Sequence, residues 1–180
     1  HTFKATALYI RRSNMAIVLE RNATLAGLPD AFRAARPECA TEEGLEFNWT
    51  SWCALLNVRA ARNFSLRGSG WIVPGGVGGA KPDFYSALHV QSTALVSLSG
   101  VRVHCTAWWW CTVLHNATNV SISNGLFIDG RAGRDGLDLV NCRNVTIEHA
   151  RIEGSDDALC FKTISNGGLG SYGSRDVVVR

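Results

Sequence analysis

Residues 134–163 read RDGLDLVNCRNVTIEHARIEGSDDALCFKT, and they contain two short runs with the same pattern. The runs are Asp135–Leu139 (DGLDL) and Asp157–Phe161 (DALCF), which begin 22 positions apart. Each starts with an acid and a small residue and carries large apolar residues at its third and fifth positions. Alternation with a period of two predicts a β-strand with one buried face. Two such strands, one coil of chain apart, predict a chain that winds and stacks the second strand on the first.

Three aspartates would be brought together by this stacking: Asp135, Asp156 and Asp157. Stacked strands lie ~4.8 Å apart, so Asp135 and Asp157 become neighbours, with Asp156 beside them. Carboxylates this close do not usually all stay ionised, and we expect at least one raised pKa in the cluster. The cluster is therefore a candidate functional site. A solvated acidic turn and a calcium site are the alternative interpretations, because clustered carboxylates also bind calcium.

A repeated phrase extends the same winding along most of the chain. Each copy is a turn residue followed by an alternation of β-branched or apolar residues, and another short strand soon follows it. Successive copies begin 32, 24, 25 and 32 positions apart. Asparagine at the head of a copy suits a tight turn with left-handed backbone, and stacked asparagines can form an amide ladder. The copies are Asn63–Leu66, Leu95–Leu98, Asn119–Ile122, Asn144–Ile147 and Asp176–Val179.

This repeat predicts an all-β fold, a parallel β-solenoid. Strands and turns recur every two dozen residues or so with no helical stretch between them, as in solenoids. A β-sandwich would place hairpin signals between paired runs, but Asn124–Gly125 falls inside the repeat. A βαβ fold would need helices of roughly ten or more residues between its strands, and the sequence predicts none after residue 53.

Length and composition agree with a single domain. The 180 residues, 46% hydrophobic and 18% charged, are enough for one core. We expect one β-helix domain over residues 1–180, in which residues 29–53 form an irregular loop region with one helical turn. Residues 174–180 (SRDVVVR) begin another coil. We therefore expect a solenoid truncated on its C-terminal side, and a chain that is an N-terminal or central fragment.

Charge and hydropathy argue against two classes of partner. The net charge is +3 and the arginines are scattered, so we expect no nucleic-acid partner. The apolar runs fall short of the ~18 residues of a membrane span, so we expect no membrane partner.

Six cysteines form no CxxC pair, which argues against zinc. Disulfides Cys39–Cys53 and Cys105–Cys111 are possible, with buried thiols as the alternative. Six Asn-x-Ser/Thr sequons favour a secreted protein.

Four motifs follow one another between residues 133 and 162. They are Gly133–Gly136 (GRDG), Cys142–Ile147 (CRNVTI), Ser155–Asp157 (SDD) and Leu159–Lys162 (LCFK). In this order they resemble the Asn-Thr-Asp-Gly segment, the Asn-Val-x-Ile coil, the Gly-Asp-Asp turn and the following strand of the polygalacturonase-type glycoside hydrolases (family 28). Those enzymes cleave pectin and are built on a right-handed parallel β-helix. Weaker similarity extends over most of the chain.

Two features depart from the family's pattern. Gly133 and Arg134 stand where the family has Asn and Thr. This difference puts simple polygalacturonate in doubt and admits relatives that act on decorated or rhamnose-containing pectin. The family's later Gly-His-Gly and Arg-x-Lys motifs have no counterpart in these residues.

The resemblance implies a catalytic role for each aspartate of the cluster. The family inverts the anomeric carbon, with one carboxylic acid protonating the leaving oxygen while carboxylates activate water. Asp156 would be the general acid, and Asp135 and Asp157 would hold and deprotonate the water. The resemblance further implies a polysaccharide substrate of the galacturonan or rhamnogalacturonan type, with no cofactor and no metal. We expect a secreted, extracellular or periplasmic enzyme that is a monomer.

Three residues are candidates for substrate binding. Lys162 has the opposite parity to Leu159 and Phe161, so we expect it to leave the core near Asp157, where a cation can hold a uronate carboxylate. Arg134 lies beside Asp135 and can meet the same anion. Trp110 precedes Asn119 by nine positions, as Asp135 precedes Asn144, so it should lie one coil before the acids, where an aromatic face can stack on a sugar.

These three candidates have structural alternatives. A solvated lysine or arginine would give the same pattern as a substrate-binding one, and a tryptophan can pack under a loop or in the core.

Two other functions remain open at this point. A calcium-dependent polysaccharide lyase would use the aspartates for calcium and needs a base, for which Lys162 is the candidate. A non-catalytic carbohydrate-binding solenoid would need no chemistry at the acids. Product analysis and a chelator separate these alternatives, because a lyase leaves unsaturated ends and depends on calcium.

Overall fold

The computed structural model of the chain describes residues 1–35, 54–75, 86–105, 110–129, 135–163 and 173–180. The described residues form three parallel sheets of six strands each. Successive strands go to the three sheets in turn, so that each coil contributes one strand to every sheet. This arrangement is a right-handed parallel β-helix, and the predicted all-β solenoid is confirmed.

The first sheet has the strand order β1-β4-β7-β10-β13-β16. Its inward positions carry Leu25, Ile72, Val103 and Phe127, which pair in one parallel register and are buried. The strands are β1 (Thr2–Ala5), β4 (Thr24–Gly27), β7 (Trp71–Val73), β10 (Arg102–Cys105), β13 (Leu126–Asp129) and β16 (Arg151–Glu153).

The second sheet has the order β17-β14-β11-β8-β5-β2. In it the two runs that begin at Asp135 and Asp157 become paired strands, because Leu137 lies opposite Leu159 and Leu139 opposite Phe161. The predicted stacking of these runs is therefore confirmed. The strands are β2 (Leu8–Ile10), β5 (Ala54–Arg59), β8 (Ser86–Gln91), β11 (Thr112–His115), β14 (Leu137–Val140) and β17 (Leu159–Lys162).

The third sheet contains all five copies of the repeated phrase, in the order β18-β15-β12-β9-β6-β3. The register pairs Arg62, Ala94, Thr118, Arg143 and Arg175 in succession, so the spacing of the copies in sequence is the length of each coil. The strands are β3 (Met15–Val18), β6 (Arg62–Arg67), β9 (Ala94–Ser99), β12 (Thr118–Ser123), β15 (Arg143–Glu148) and β18 (Arg175–Val179).

A single helix, α1 (Pro29–Ala35), lies among the described residues between β4 and β5. Proline at its first position has the φ angle that a helix needs, and Asp30 in the first turn complements the helix dipole. The sequence predicts one helical turn within the irregular region 29–53, and α1, with 7 residues, is longer than one turn. Residues 36–53, and with them Cys39 and Cys53, lie outside the described residues.

The head of every repeated phrase adopts left-handed backbone, as predicted. The φ angles are 58° at Asn63, 54° at Asn119, 53° at Asn144 and 55° at Asp176, and Leu95 adopts 56° in the same position. Asn144 Nδ2 donates to Asn119 Oδ1 at 2.7 Å. Asparagine tolerates this backbone and also satisfies its amide on the next coil, which explains its recurrence at this corner.

The core runs along the axis of the coils. Apolar side chains stack in parallel register, so each buried residue packs on its equivalent in the next coil, and each contributes roughly 1.5–3 kcal/mol of burial. Cys105 is a buried free thiol, so the Cys105–Cys111 disulfide is not formed. The third sheet supplies two rows of this core: Phe64, Val96, Val120 and Val145, and Leu66, Leu98, Ile122 and Ile147.

Among the described residues, no helix has both the length and the apolar character needed to cross a membrane.

Candidate active site

The three predicted aspartates lie at the corner where the chain passes from the first sheet to the second. Asp135 precedes β14, and Asp156 and Asp157 precede β17. Gly136 N–H donates to Asp157 O at 2.9 Å, which holds the two turns one above the other. One carboxylate oxygen from each of the three aspartates lies within 4.8 Å of the others. The structure therefore brings the predicted cluster together, with Asp135 buried and the other two exposed.

Two glycines give the chain the room to place these acids. A Cβ at Gly154 would lie 2.2 Å from Asp157 O, and one at Gly136 would lie 2.8 Å from Ala158 O. Both obstacles are backbone atoms, which cannot rotate away. The turn that carries Asp156 therefore closes only because these positions have no side chain.

Lys162 connects the cluster to the second sheet. Its Nζ lies 2.7 Å from Asp135 Oδ2 and 3.3 Å from Asp138 Oδ1. The sequence predicts this lysine beside Asp157, but its ion pairs in the described structure are with Asp135 and Asp138. The reason is the register, which sets Lys162 opposite Val140 on the outer face of β14. From there the side chain reaches the two acids of the preceding coil.

Trp110 lies in the same group of side chains, one coil before Asp135 as predicted. The neighbouring Cys111 N–H donates to Asp135 O at 3.0 Å. Lys162 Nζ lies 4.2 Å from the centroid of the Trp110 ring, which is a cation–π contact. Arg134, the other predicted anion-binding residue, lies outside the described residues.

The ion pair sets the charge of both its members. Burial by itself raises the pKa of Asp135, but the hydrogen bond and charge of Lys162, together with the Asp157 N–H, lower it overall. Burial by itself lowers the pKa of Lys162, but its hydrogen bond to Asp135 and the charge of Asp138 raise it overall. Asp135 is therefore a carboxylate and Lys162 an ammonium over the whole neutral range.

Asp138 is a site residue that the sequence reasoning missed. It is completely buried, and burial together with the charge of Asp135 raises its pKa to about 8 against the opposing effect of Lys162. The expected acid of raised pKa is thus a residue outside the predicted trio. The available signal was an acid inside the strand Leu137–Val140, where the other three residues are apolar.

Cys160 is a further neighbour that the sequence did not single out. It lies opposite Asp138 in the register, and its Sγ is 3.3 Å from Asp157 Oδ2. Burial raises the pKa of this thiol, so it stays protonated and acts as a weak donor to the aspartate.

Two histidines continue the polar outer face of the second sheet away from the acids. The rings of His89 and His115 stack with centroids 6.5 Å apart. Burial, together with the charges of His115 and Arg59, lowers the pKa of His89 to about 3, and burial with Arg59 lowers that of His115 to about 4. Both imidazoles are therefore neutral at physiological pH, which agrees with a structural role.

The acids also offer oxygen ligands of the kind that calcium prefers. Asp135, Asp156 and Asp157 form one possible ligand group, and Asp135, Asp138 and Cys160 form a second. Lys162 already supplies a positive charge to Asp135 and Asp138. A metal ion in the second group would have to displace that ammonium, so the described residues favour an ion pair there.

Fold and site together define a right-handed parallel β-helix with a lysine-paired acidic cluster at one corner. No protein-family model and no curated protein matches the chain. Among solved structures, it resembles the polygalacturonase from Erwinia carotovora ssp. carotovora, with a TM-score of 0.73, 16% sequence identity and coverage of 99% of this chain and 51% of that one. It also resembles the family 28 exopolygalacturonase of Yersinia enterocolitica, with a TM-score of 0.65, 16% identity and coverage of 88% and 37%. The chain thus spans about half of the Erwinia enzyme and 37% of the Yersinia enzyme. The likeness establishes the fold.

Proposed function

We propose that the protein is a glycoside hydrolase that cleaves uronate-containing pectic polysaccharide, of the galacturonan or rhamnogalacturonan type. The observation that carries the proposal is the convergence of Asp135, Asp156 and Asp157 on neighbouring coils, beside Lys162 and Trp110. The two solved structures of similar fold are named as polygalacturonases. A fold alone does not define a reaction, so the site supplies the chemistry of the proposal.

The three aspartates suit different parts of hydrolysis. Asp156 is exposed, so its carboxyl group is free to approach a glycosidic oxygen, and we assign it as the general acid. Asp135 is buried, and Lys162 holds it in its ionised form. An ionised carboxylate accepts the proton of water, so we assign Asp135 and Asp157 to holding and activating the nucleophilic water.

We assign inversion at the anomeric carbon, and the spacing of the acids constrains how it occurs. The nearest oxygens of the trio lie within 4.8 Å, whereas the carboxyl groups of most inverting enzymes are ~6.5–9.5 Å apart. The trio is thus more compact than that spacing, and we assign Asp135 and Asp157 to hold the water as a pair. NMR of the first anomer released tests this assignment, and a retained configuration would contradict it.

Lys162 and Trp110 suit the recognition of an anionic sugar. An ammonium has three donors, and Asp135 accepts one of them at 2.7 Å. The Lys162 side chain is 24% exposed, so a uronate carboxylate can approach it from solvent. The Trp110 ring offers an apolar face beside that cation. Arg134 remains a predicted contact to the same anion.

The first test is reducing-end release from a panel of pectic polysaccharides by the full-length protein and its Asp156→Asn variant. We expect the parent to release saturated products by hydrolysis, and we expect Asp156→Asn to release none. Unsaturated ends and inhibition by a chelator would instead identify a calcium-dependent lyase, and binding without cleavage would identify a non-catalytic solenoid. We further propose a secreted or periplasmic monomer that works without a cofactor, and size-exclusion chromatography and fractionation test these points.

A further inference from the structure

Asp138 is a buried carboxyl group in a strand of the second sheet whose other three residues are apolar. Leu137 and Leu139 on either side of it belong to the hydrophobic core. Asp138 faces the opposite side of β14, between Val113 of β11 and Cys160 of β17 in the parallel register. Its exposure is 0%. Burying a carboxyl group here is unfavourable unless its neighbours compensate for the lost water.

The compensation from the described residues is small. Neither carboxylate oxygen of Asp138 receives a well-aligned hydrogen bond from them. Lys162 Nζ lies 3.3 Å from Oδ1, but the stronger contact of that ammonium is with Asp135, at 2.7 Å. Asp138 therefore shares a cation with Asp135 and has the weaker contact with it.

Asp138 also lies close enough to Asp135 to act on it. Oxygens of the two residues and Cys160 Sγ all lie within 4.8 Å of one another. Because burial raises the pKa of Asp138 to about 8, the group is a neutral acid at lower pH, with an O–H to donate towards the ionised Asp135. The other titratable neighbours described are Lys162 and Cys160 on β17, and His115, two residues beyond Val113 on β11.

We propose that Asp138 is a positioning residue, which as a neutral acid holds Asp135 and leaves Lys162 to pair with that carboxylate alone. This proposal rests on the hydrolase function proposed above. When Asp138 ionises it becomes a second anion beside Lys162 and competes with Asp135 for the ammonium. The water-holding carboxylate then loses its fixed position, so the arrangement works only below the pH at which Asp138 ionises.

Two substitutions separate the roles of shape and charge. Asp138→Asn keeps the shape and a donor but cannot ionise, whereas Asp138→Leu removes both polar functions. In the full-length protein we expect Asp138→Leu to lower kcat about 100-fold, the scale of a misplaced catalytic group, with little change in KM. Asp138→Asn should recover most of that loss. The parent's rate should fall above pH 8, and this fall should be absent in Asp138→Asn.

A second readout does not depend on activity. Carbon-13 NMR of labelled aspartate should detect one carboxyl group that titrates near pH 8 in the parent and is missing in Asp138→Asn. The Asp135 resonance should move in Asp138→Leu and hold its place in Asp138→Asn. If no aspartate titrates near pH 8, or if Asp138→Leu matches the parent in both kcat and the Asp135 resonance, the positioning role is wrong. If the parent cleaves no pectic polysaccharide, the proposed function fails while the titration still decides the role of Asp138.

Discussion

Asp138→Asn should make the protein more stable near neutral pH, although the residue is completely buried. The pKa of Asp138 is raised from 3.8 to about 8 in the folded protein. Between these values the folded state keeps a proton that the unfolded state has lost, so stability falls as the pH rises through this range. The contribution of Asp138 to the stability of the fold is fully present below pH 3.8 and is lost as the pH rises through 8. Asparagine has no such proton, and the variant escapes the penalty.

The size of the effect follows from the same two values. Each tenfold change in an acid dissociation constant corresponds to about 1.4 kcal/mol. At pH 6 the penalty for keeping Asp138 protonated is therefore about 3 kcal/mol, and above pH 8 it reaches about 6 kcal/mol. For a protein of this size about 3 kcal/mol corresponds to a rise of roughly 6–12 °C in Tm.

The assay is urea unfolding of the full-length parent and variant at pH 4.5, 6 and 7.5. We expect the two midpoints to be close at pH 4.5 and to separate as the pH rises, with the variant more stable. Asp135→Asn is the matched control, because Lys162 lowers the pKa of Asp135. A lowered pKa stabilises the fold above the unfolded value and loses that effect in acid, so this control should be destabilised at pH 7.5.

A difference between parent and Asp138→Asn that stays constant with pH would refute this explanation. So would a variant less stable than the parent at pH 7.5, because Asp138 would then support the fold as an ordinary ionised partner of Lys162. Either result would also remove the energetic reason to assign Asp138 to function.

Three further predictions concern the site. Asp156→Asn should lower kcat for pectic polysaccharide by roughly 10²–10⁴-fold, the usual contribution of a general acid. Steady-state assays should show a nearly unchanged KM, and a variant altered in KM alone would contradict the assignment. Lys162→Met should raise KM for polygalacturonate roughly tenfold, as loss of a charged hydrogen bond does, and should move the acid limb of the pH profile upward, because the lysine lowers the pKa of Asp135. An unchanged acid limb would exclude that coupling. Gly154→Ala should lower the free energy of unfolding by roughly 1–3 kcal/mol, as overpacking does, because the added Cβ would lie 2.2 Å from Asp157 O. A variant as stable as the parent would show that the turn can relax.

The fold followed from a local pattern repeated many times. Each copy of the phrase couples a left-handed corner to an inward-facing strand, and stacked copies bury the same positions in every coil. Asn119 and Asn144 show the link directly, because their spacing of 25 positions is the register of the third sheet and their amides bond across it. Leu95 adopts the same left-handed backbone without being an asparagine, because its strand is paired on both sides with strands of the same repeat.

The site was partly determined in the same way. Asp135 and Asp157 head two runs of the same pattern, so their spacing along the chain predicts that they are neighbours. Lys162 is a different case, because its parity predicts the face of the strand and not the direction of a long, flexible side chain. Its partners were decided by the acids available on the coil beneath.

The sequence by itself determined the winding of the chain, the stacking of the coils and the meeting of the three aspartates, because all three depend on spacing within a repeat. Only the tertiary structure decided which acid is buried and which carries the raised pKa. A pKa depends on lost water and on nearby charges. The neighbouring strands β11 and β17 cover Asp138 and remove its water, and the charge of Asp135 raises the pKa further against the opposing charge of Lys162. The two strands that cover Asp138 are distant from it in sequence, so its own strand did not distinguish a solvated acid from a buried one.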